Sequence, residues 1–243
     1  MLDKYQSILP LIDRLIISLD SAVPEKWHKI IGVPVAAAER IIRNIQDTAQ
    51  LQSIDKFTLV LNCVVTPETI SDARKVLEFS EATGTYVSFS PQAVHNWPHY
   101  DLLVSEPYRK FITDLISKKR SGAPIFGSLK YLESIHDFTE YRCYPTLAPR
   151  IMPNGDLIYP CRPVEKEGDS FGGRLNLLQV DHWEEAMDQL SRIYGDPPIS
   201  CTSCFQQCYI EPSLMQAQPG SFFKEWALYP PSRKGKILNH TPG

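Results

Sequence analysis

Glycine and long apolar runs are both scarce in this sequence. The chain has 12 glycines against 20 prolines in 243 residues. No stretch approaches the roughly 18 consecutive apolar residues that a membrane helix needs. The opening stretch, MLDKYQSILPLIDRL, does not look like a signal peptide because Asp13 and Arg14 interrupt its apolar residues. These absences argue against a membrane partner, and we expect a cytoplasmic protein.

An excess of charge of one sign is also missing, as are the common catalytic motifs. The formal net charge is −3 at pH 7, so there is no electrostatic reason to expect a nucleic acid as partner. The chain has no Gly-rich phosphate loop, no Ser–His–Asp order and no HExxH sequence. The familiar enzyme classes built on those motifs are therefore not indicated.

Cysteine, in contrast, is concentrated in one part of the chain. Five of the six cysteines follow residue 140, and they are Cys143, Cys161, Cys201, Cys204 and Cys208. A CxxC pair with a third cysteine close behind it and two more upstream is a pattern of soft-metal ligands. In a reducing compartment such a cluster binds a metal more often than it forms disulfides. The residues alone leave tetrahedral zinc, an iron–sulfur cluster, and disulfides or free thiols as alternatives.

The five clustered cysteines compete for four ligand positions. Our first set is Cys143, Cys161, Cys201 and Cys204. Cys208 is then a spare thiol, a replacement for one of the four, or a residue that lies outside the ligand shell. The sixth cysteine, Cys63, lies inside an apolar strand and is expected to be a buried core thiol.

The first 140 residues alternate apolar strands with amphipathic helices. Strands are predicted over 14–20, 57–65 and 85–90, with helices over 35–51 and after Thr66-Pro67. Such a series with short connections predicts parallel strands and right-handed crossovers, and therefore an α/β fold for residues 1–140.

The sequence changes character near residue 140. Asn154-Gly155 between apolar stretches predicts a β-hairpin over 146–160, with a cysteine before it and another at its exit. A capping box that begins at Asp181 predicts a helix behind the hairpin. We therefore expect a small cysteine-rich domain of hairpin plus helix over 141–215, followed by an extended tail over 216–243.

Polar side chains lie near the carboxyl ends of the predicted parallel strands. Asp20 and Asn62 are the clearest examples, and Ser18, Ser88 and Ser90 share the argument with less weight. Ligands of parallel α/β folds bind at the carboxyl ends of the strands. Capping of the backbone is the structural alternative for each of these side chains.

Several of these segments, taken in order, resemble a known family. LIISLDS, then His28 and Gly32, then ERIIRNI and FTLVLNCVVTPETI look like the second half of a radical S-adenosylmethionine (SAM) enzyme barrel. The arrangement Cys143, Gly155, Cys161 and the later CxxC resembles the twitch or SPASM-type auxiliary cluster domain that follows such barrels. The resemblance covers about residues 1–210, and it favours an iron–sulfur cluster over zinc.

The resemblance implies roles for particular residues. Ser18 and Asn62, on strands that match the fourth and fifth of the family barrel, would face SAM or substrate, and Ser90 would do so from the sixth. The clustered cysteines would hold an auxiliary [4Fe-4S] cluster. In the intact enzyme, an oxidoreductase or maturase, a reduced cluster would cleave SAM, and the radical formed would abstract hydrogen from a small-molecule or peptide substrate.

The sequence also departs from the family pattern. The defining CxxxCxxC motif is absent, and the only tight cysteine group is the CxxCxxxC that begins at Cys201. The strand over 14–20 matches the fourth strand of the barrel, so we expect three strands to be missing and this strand to be an unpaired, apolar edge. We therefore expect the chain alone to be inactive, as a truncated product or as one half that pairs with a separate N-terminal half. A non-catalytic zinc-binding module is the alternative function.

Overall fold

The computed structural model describes residues 6–94, 97–159, 173–194 and 204–228. The chain forms two compact units. The first unit comprises Met1–Ser90, Ser105–Gly127 and Trp226–Gly243, and the second comprises Pro91–Val104 and Ser128–Glu225. Among the described residues, no helix has the length and apolar character that a membrane crossing requires.

The helices and strands are named here in chain order. The helices are α1 (Pro24–Ile31), α2 (Val35–Asp55), α3 (Ile70–Thr83), α4 (Tyr100–Leu103), α5 (Glu106–Arg120), α6 (Leu129–Asp137), α7 (Trp183–Tyr194), α8 (Gln207–Ala217) and α9 (Pro219–Leu228). The strands are β1 (Arg14–Ser18), β2 (Thr58–Val65), β3 (Tyr86–Pro91), β4 (Ala93–Val94), β5 (Trp97–Pro98), β6 (Arg150–Ile151), β7 (Asp156–Tyr159) and β8 (Gly173–Asn176).

A parallel three-stranded sheet in the order β1-β2-β3 is the centre of the first unit. The alternation of strands and helices predicts an α/β fold with parallel strands. The structure confirms a mixed α/β fold with a parallel sheet. The odd-numbered side chains of β2, such as Leu59, Leu61 and Cys63, are fully buried, and both α2 and α3 contact this strand. The even-numbered side chains form the other face, which is more open.

The two edges of this sheet differ. On the outer side of β3, the Val87 amide donates to the Pro124 carbonyl at 3.0 Å and the Phe126 amide donates to the Val87 carbonyl at 2.8 Å. No segment within the described part of the chain pairs with the outer edge of β1. Ile16 on this strand is 58% exposed.

The predicted strand over 14–20 ends earlier than expected. Leu19 still donates from its amide to the Asn62 carbonyl at 2.9 Å. At the next residue the backbone ladder stops, and the carboxylate of Asp20 accepts a hydrogen bond from the Val64 amide at 2.8 Å. A side chain thus takes the place of a backbone partner at the carboxyl end of β1.

An antiparallel sheet, β6-β7-β8, lies in the second unit. The predicted hairpin is present as β6 and β7, but Asn154-Gly155 does not form a two-residue turn. The Gly155 amide donates to the Met152 carbonyl at 2.9 Å, and Gly155 alone in this loop has a positive φ, of 88°. Strand β8 was not predicted. Leu157 packs against Ala186 and Leu190 of α7.

Helices α6 and α8 contact each other in the same unit. The amide of Ser128, just before α6, donates to a carboxylate oxygen of Glu211 at 2.6 Å. The next amide, that of Leu129, donates to Glu225 of α9 at 2.8 Å. Two carboxylates therefore satisfy two of the open donors at the positive end of the α6 dipole. The region predicted as an extended tail thus contains a helix whose side chain caps another helix.

Candidate functional site

The predicted strand-end residues lie on one face of the parallel sheet. Ser18 and Asn62 are direct register partners in β1 and β2. Ser88 on β3 donates from its hydroxyl to the Asn62 side-chain oxygen at 3.0 Å. Ser90 lies two residues further along β3, and side chains two apart in a strand point to the same face. Three strands therefore contribute small polar groups at their carboxyl halves.

This face of the sheet is more exposed at β1 than at β3. Ser18 is exposed, Asn62 and Ser90 are half-buried, and Ser88 is buried. At the amino end of the same face, the guanidinium of Arg14 lies 4.6 Å from the centroid of the Phe126 ring. The arrangement offers hydroxyl and amide groups that can both donate and accept hydrogen bonds.

Asp20 stands just beyond Ser18 and is a titratable group at this edge. Burial raises the pKa of its carboxyl above the ordinary value, and the hydrogen bond from the Val64 amide lowers it by less. The net effect is a carboxyl that holds its proton to higher pH than a solvated aspartate. Asp20 thus accepts a hydrogen bond from the backbone at the end of β2.

A second carboxylate behind this edge has a structural role that the sequence does not predict. Asp72, in the first turn of α3, is 4% exposed. It accepts hydrogen bonds from the Ser21 hydroxyl at 3.3 Å and from the Lys26 ammonium at 2.9 Å. These bonds tie the segment after β1 to α3. The available signal was an acidic residue in the first turn of a predicted helix, which is too common to single out.

Cys63 is a core thiol, as predicted. It is fully buried and not in a disulfide. Burial, followed by the charges of Asp20 and Asp72, raises the pKa of this thiol well above its usual range. A buried thiol that stays protonated is a poor nucleophile and a poor metal ligand.

The cysteine region belongs to the second unit. Cys143 is buried, Cys204 is half-buried and Cys208 is exposed, and none of the three is in a disulfide. Cys161 and Cys201 lie outside the described residues.

Two hydrogen bonds hold the segment of Cys143 beside the segment of Cys204 and Cys208. The Tyr141 hydroxyl donates to the backbone carbonyl of Cys204. The Tyr144 amide donates to the hydroxyl of Ser213, on α8, at 2.9 Å. The structure thus brings together two cysteine-bearing segments that are about sixty residues apart in sequence.

The hairpin joins this region through Arg150 on β6. Its Nε donates to the Tyr209 hydroxyl at 2.8 Å, and its Nη2 lies 3.8 Å from the Cys208 sulfur. The Phe205 ring packs edge-on against Phe138 at 5.3 Å. Aromatic and guanidinium groups therefore surround the start of α8.

No group of three His, Cys, Asp or Glu side chains in residues 6–94, 97–159, 173–194 and 204–228 could hold a metal ion. The three described thiols are therefore not a complete site by themselves. The predicted ligand set includes Cys161 and Cys201, which lie outside those ranges, so the set stays a prediction.

Comparisons with known proteins add little. No family model matches the chain, and no curated protein matches it. Among solved structures, SuiB of Streptococcus suis matches with a TM-score of 0.46 and 16% sequence identity. The match covers 72% of this chain and 44% of SuiB, so the chain spans less than half the length of that protein. A TM-score below 0.5 does not establish a shared fold.

Proposed function

We propose that the chain carries the second half of a radical SAM-type barrel together with an auxiliary iron–sulfur site, as part of an oxidoreductase or maturase. The observation that carries the proposal is the attachment of the Cys143 segment to the segment of Cys204 and Cys208 through Tyr141 and Tyr144. A thiolate site needs ligands from distant parts of the chain to be held together, and this pair of bonds supplies that support.

The proposed auxiliary cluster is a [4Fe-4S] cluster with thiolate ligands. Cysteine thiolates are the donors that such clusters use, and the described cysteines are not in disulfides. When bound, the cluster would accept an electron or anchor the substrate. Its proposed ligands are four of Cys143, Cys161, Cys201, Cys204 and Cys208.

The proposed ligand of the sheet face is SAM or the substrate. Ser18, Asn62 and Ser90 share this face, and Asn62 is oriented by Ser88. Hydroxyl and amide groups in this arrangement suit a small polar molecule with several donors and acceptors.

A further partner is part of the proposal. The CxxxCxxC motif is absent from the chain, so SAM cleavage requires a polypeptide segment that supplies it, either a separate N-terminal half or a preceding part of a longer protein. We expect this segment to add to β1, whose outer edge has no partner strand among the described residues. The chain by itself is expected not to cleave SAM.

The alternative function is a non-catalytic zinc module. A four-thiolate set suits tetrahedral zinc as well as a cluster, and a structural zinc site needs no open coordination position. The buried position of Cys143, which is 5% exposed, is compatible with such a closed site.

Anaerobic reconstitution distinguishes the two functions. The full chain is incubated with iron and sulfide, or with zinc, and the bound metal is counted. The cluster proposal expects iron and sulfide uptake with broad visible absorption, and loss of both in Cys143→Ser. Cys63→Ala is the matched control, because Cys63 is a buried thiol outside the proposed set, and it should keep full uptake. Stoichiometric zinc without iron uptake would establish the zinc module, and failure to bind either metal would overturn both functions.

A further inference from the structure

The outer edge of β1 presents backbone amides and carbonyls on every second residue. Asp13 accepts from β2 through its carbonyl and Leu19 donates to β2 through its amide, both at 2.9 Å. The odd-numbered residues therefore bond to β2, and the alternation along the strand turns the backbone groups of Arg14, Ile16 and Ser18 to the outer side. No segment of the described chain pairs with them there.

This edge lacks the features that usually protect an edge strand. Charged side chains, prolines and bulges serve that purpose in natural sheets. β1 has no proline, and its register with β2 is continuous. Its single charged side chain, Arg14, extends over the sheet, because its guanidinium lies 4.6 Å from the centroid of the Phe126 ring beyond β3. Leu11, shortly before the strand, is 82% exposed and does not cover the edge. The edge is therefore open, with the exposed Ile16 at its centre.

The outward residues of β1 are complementary to a second copy of themselves. If two copies of the strand lie antiparallel about a two-fold axis at Ile16, this residue faces its own counterpart, and Arg14 faces Ser18 of the second copy. Directly opposite residues in such positions exchange two backbone hydrogen bonds. Every outward amide and carbonyl of both strands then has a partner, and the two exposed isoleucine side chains meet on the same face of the sheet.

The charge on the strand favours this arrangement over other pairings. The two Arg14 residues are offset by four positions, about 14 Å along the strands at about 3.4 Å per residue. This separation exceeds the Debye length of about 8 Å at physiological ionic strength. A parallel pairing would bring both arginines to the same end of the interface, and an antiparallel pairing centred on Arg14 would place them directly opposite each other, which is unfavourable.

The opposite edge of the sheet limits the assembly to two copies. Residues 124–126 occupy the outer side of β3, where the backbone of Val87 donates to one of them and accepts from another. A contact about a two-fold axis uses the same surface on both chains and closes on itself. The β1 edge therefore supports a pair of chains and not an extended stack.

We propose that two copies of the chain associate through β1, antiparallel and centred on Ile16, so that their three-stranded sheets become one continuous sheet. The segment that the proposed function adds to β1 would compete with the second copy for this edge. The inference depends neither on the cluster nor on SAM, so its failure leaves the metal reconstitution test unaffected. One strand from each copy buries less than the roughly 1,200 Å² of a standard interface, and we expect a dissociation constant of about 10 µM to 1 mM.

Sedimentation velocity of the full chain tests the association. We expect a monomer–dimer equilibrium that shifts with concentration up to about 1 mM. Ile16→Lys sets two ammonium groups opposite each other at the two-fold axis and should weaken the dimer at least about tenfold. Ile54→Lys makes the same change at an exposed position of α2 and should leave the dissociation constant unchanged. A monomer at every concentration, a larger assembly, or equal dissociation constants for the two variants would overturn the proposal.

Disulfide crosslinking tests the register. The Cα atoms of directly opposite, hydrogen-bonded residues lie about 5.5 Å apart, within the range of about 4.4–6.8 Å that a disulfide spans. Ile16→Cys should therefore link to itself under mild oxidation. Arg14→Cys and Ser18→Cys should each fail to link to themselves and should link to each other when the two variants are mixed. Peptide mass spectrometry distinguishes these links from links through the exposed Cys208. Self-linking of Arg14→Cys, or no self-linking of Ile16→Cys, would overturn the pairing.

Discussion

The hydroxyl of Ser88 donates a hydrogen bond to the side-chain oxygen of Asn62 at 3.0 Å, from β3 to β2. With its oxygen engaged by Ser88, the Asn62 amide keeps its N–H donors for other partners. Ser18 on β1, the register partner of Asn62, lies on the same face of the sheet. The bond therefore orients the central polar residue of the proposed ligand face.

Loss of this bond should be measurable in stability. In Ser88→Ala the half-buried Asn62 oxygen loses its donor, and we expect the free energy of unfolding to fall by about 1 kcal/mol. Ser117→Ala, at an exposed position of α5, is the control and should change it by less than about 0.5 kcal/mol. Urea denaturation measures both. Equal stability of the two variants would mean that the Ser88–Asn62 bond contributes nothing.

The carboxyl of Asp20 should make the stability depend on pH in an unusual direction. Its pKa in the folded protein is raised by burial, so the folded protein binds more protons than the unfolded chain between the two pKa values. The stability that protonated Asp20 contributes is present below the unfolded pKa of about 3.9. It is lost as the pH rises through the folded pKa.

Asp20→Asn removes this titration and keeps an oxygen that can accept from the Val64 amide. We expect the free energy of unfolding of Asp20→Asn, relative to the native sequence, to increase as the pH rises above about 4. Asp20→Ala leaves the Val64 amide without its acceptor and should be less stable than Asp20→Asn by about 1–3 kcal/mol. Guanidinium denaturation at several pH values measures both effects. A difference that falls as the pH rises would contradict the assigned direction.

The first unit shows which features of the fold a local sequence pattern can predict and which it cannot. The β-branched run FTLVLNCVV predicts β2 to within one residue at its start. The pairing of Ser18 with Asn62 was not predictable, because the long helical crossover between parallel strands leaves their register free. The closure of the β3 edge by Pro124 and Phe126 has no periodic signal either. Such contacts depend on the tertiary fold and not on a local sequence pattern.

The reactivity of the thiols should follow their environments. Cys208 is exposed, whereas Cys63 is fully buried and burial raises its pKa well above the usual range. Each unit by which the pKa of a thiol is raised lowers its thiolate fraction about tenfold. We therefore expect iodoacetamide at mildly alkaline pH to modify Cys208 at least about tenfold faster than Cys63. Peptide mass spectrometry measures the rates, which should converge in denaturant. Similar rates in the folded protein would show that Cys63 is not protected.

The cysteine region could be predicted as a set of residue types but not as an arrangement. Spacing identifies Cys143 and the later CxxC as candidate ligands. The bonds from Tyr141 to Cys204 and from Tyr144 to Ser213 join segments that are distant in sequence, and a single tyrosine carries no pattern that would reveal its partner. The same limit explains why strand β8 was missed, since four residues are too few for a periodic signal.

Two glycines with nearly the same φ allow the cost of backbone strain to be distinguished from the cost of steric crowding. Gly122 has a φ of 91° and Gly155 a φ of 88°. A Cβ on Gly122 would meet nothing within 4 Å, whereas a Cβ on Gly155 would lie 3.0 Å from the Asn176 side-chain oxygen and 3.2 Å from Leu178 Cγ. The Asn176 amide also donates to the Asn154 carbonyl at 3.0 Å, so it cannot move without losing that bond.

Gly122→Ala should therefore cost only the left-handed strain, about 1–2 kcal/mol. Gly155→Ala should cost that strain plus about 1–3 kcal/mol for crowding. Because the two glycines belong to different units, each cost is read locally, from amide hydrogen exchange of the residues that flank the substitution. For Gly155→Ala the expected result is faster exchange at Met152, whose amide donates to the Asp156 carbonyl at 2.8 Å, and at Leu177, whose amide donates to Gly155. If both variants show the same local cost, Asn176 must shift freely, and the contact across the hairpin does not stabilise the sheet.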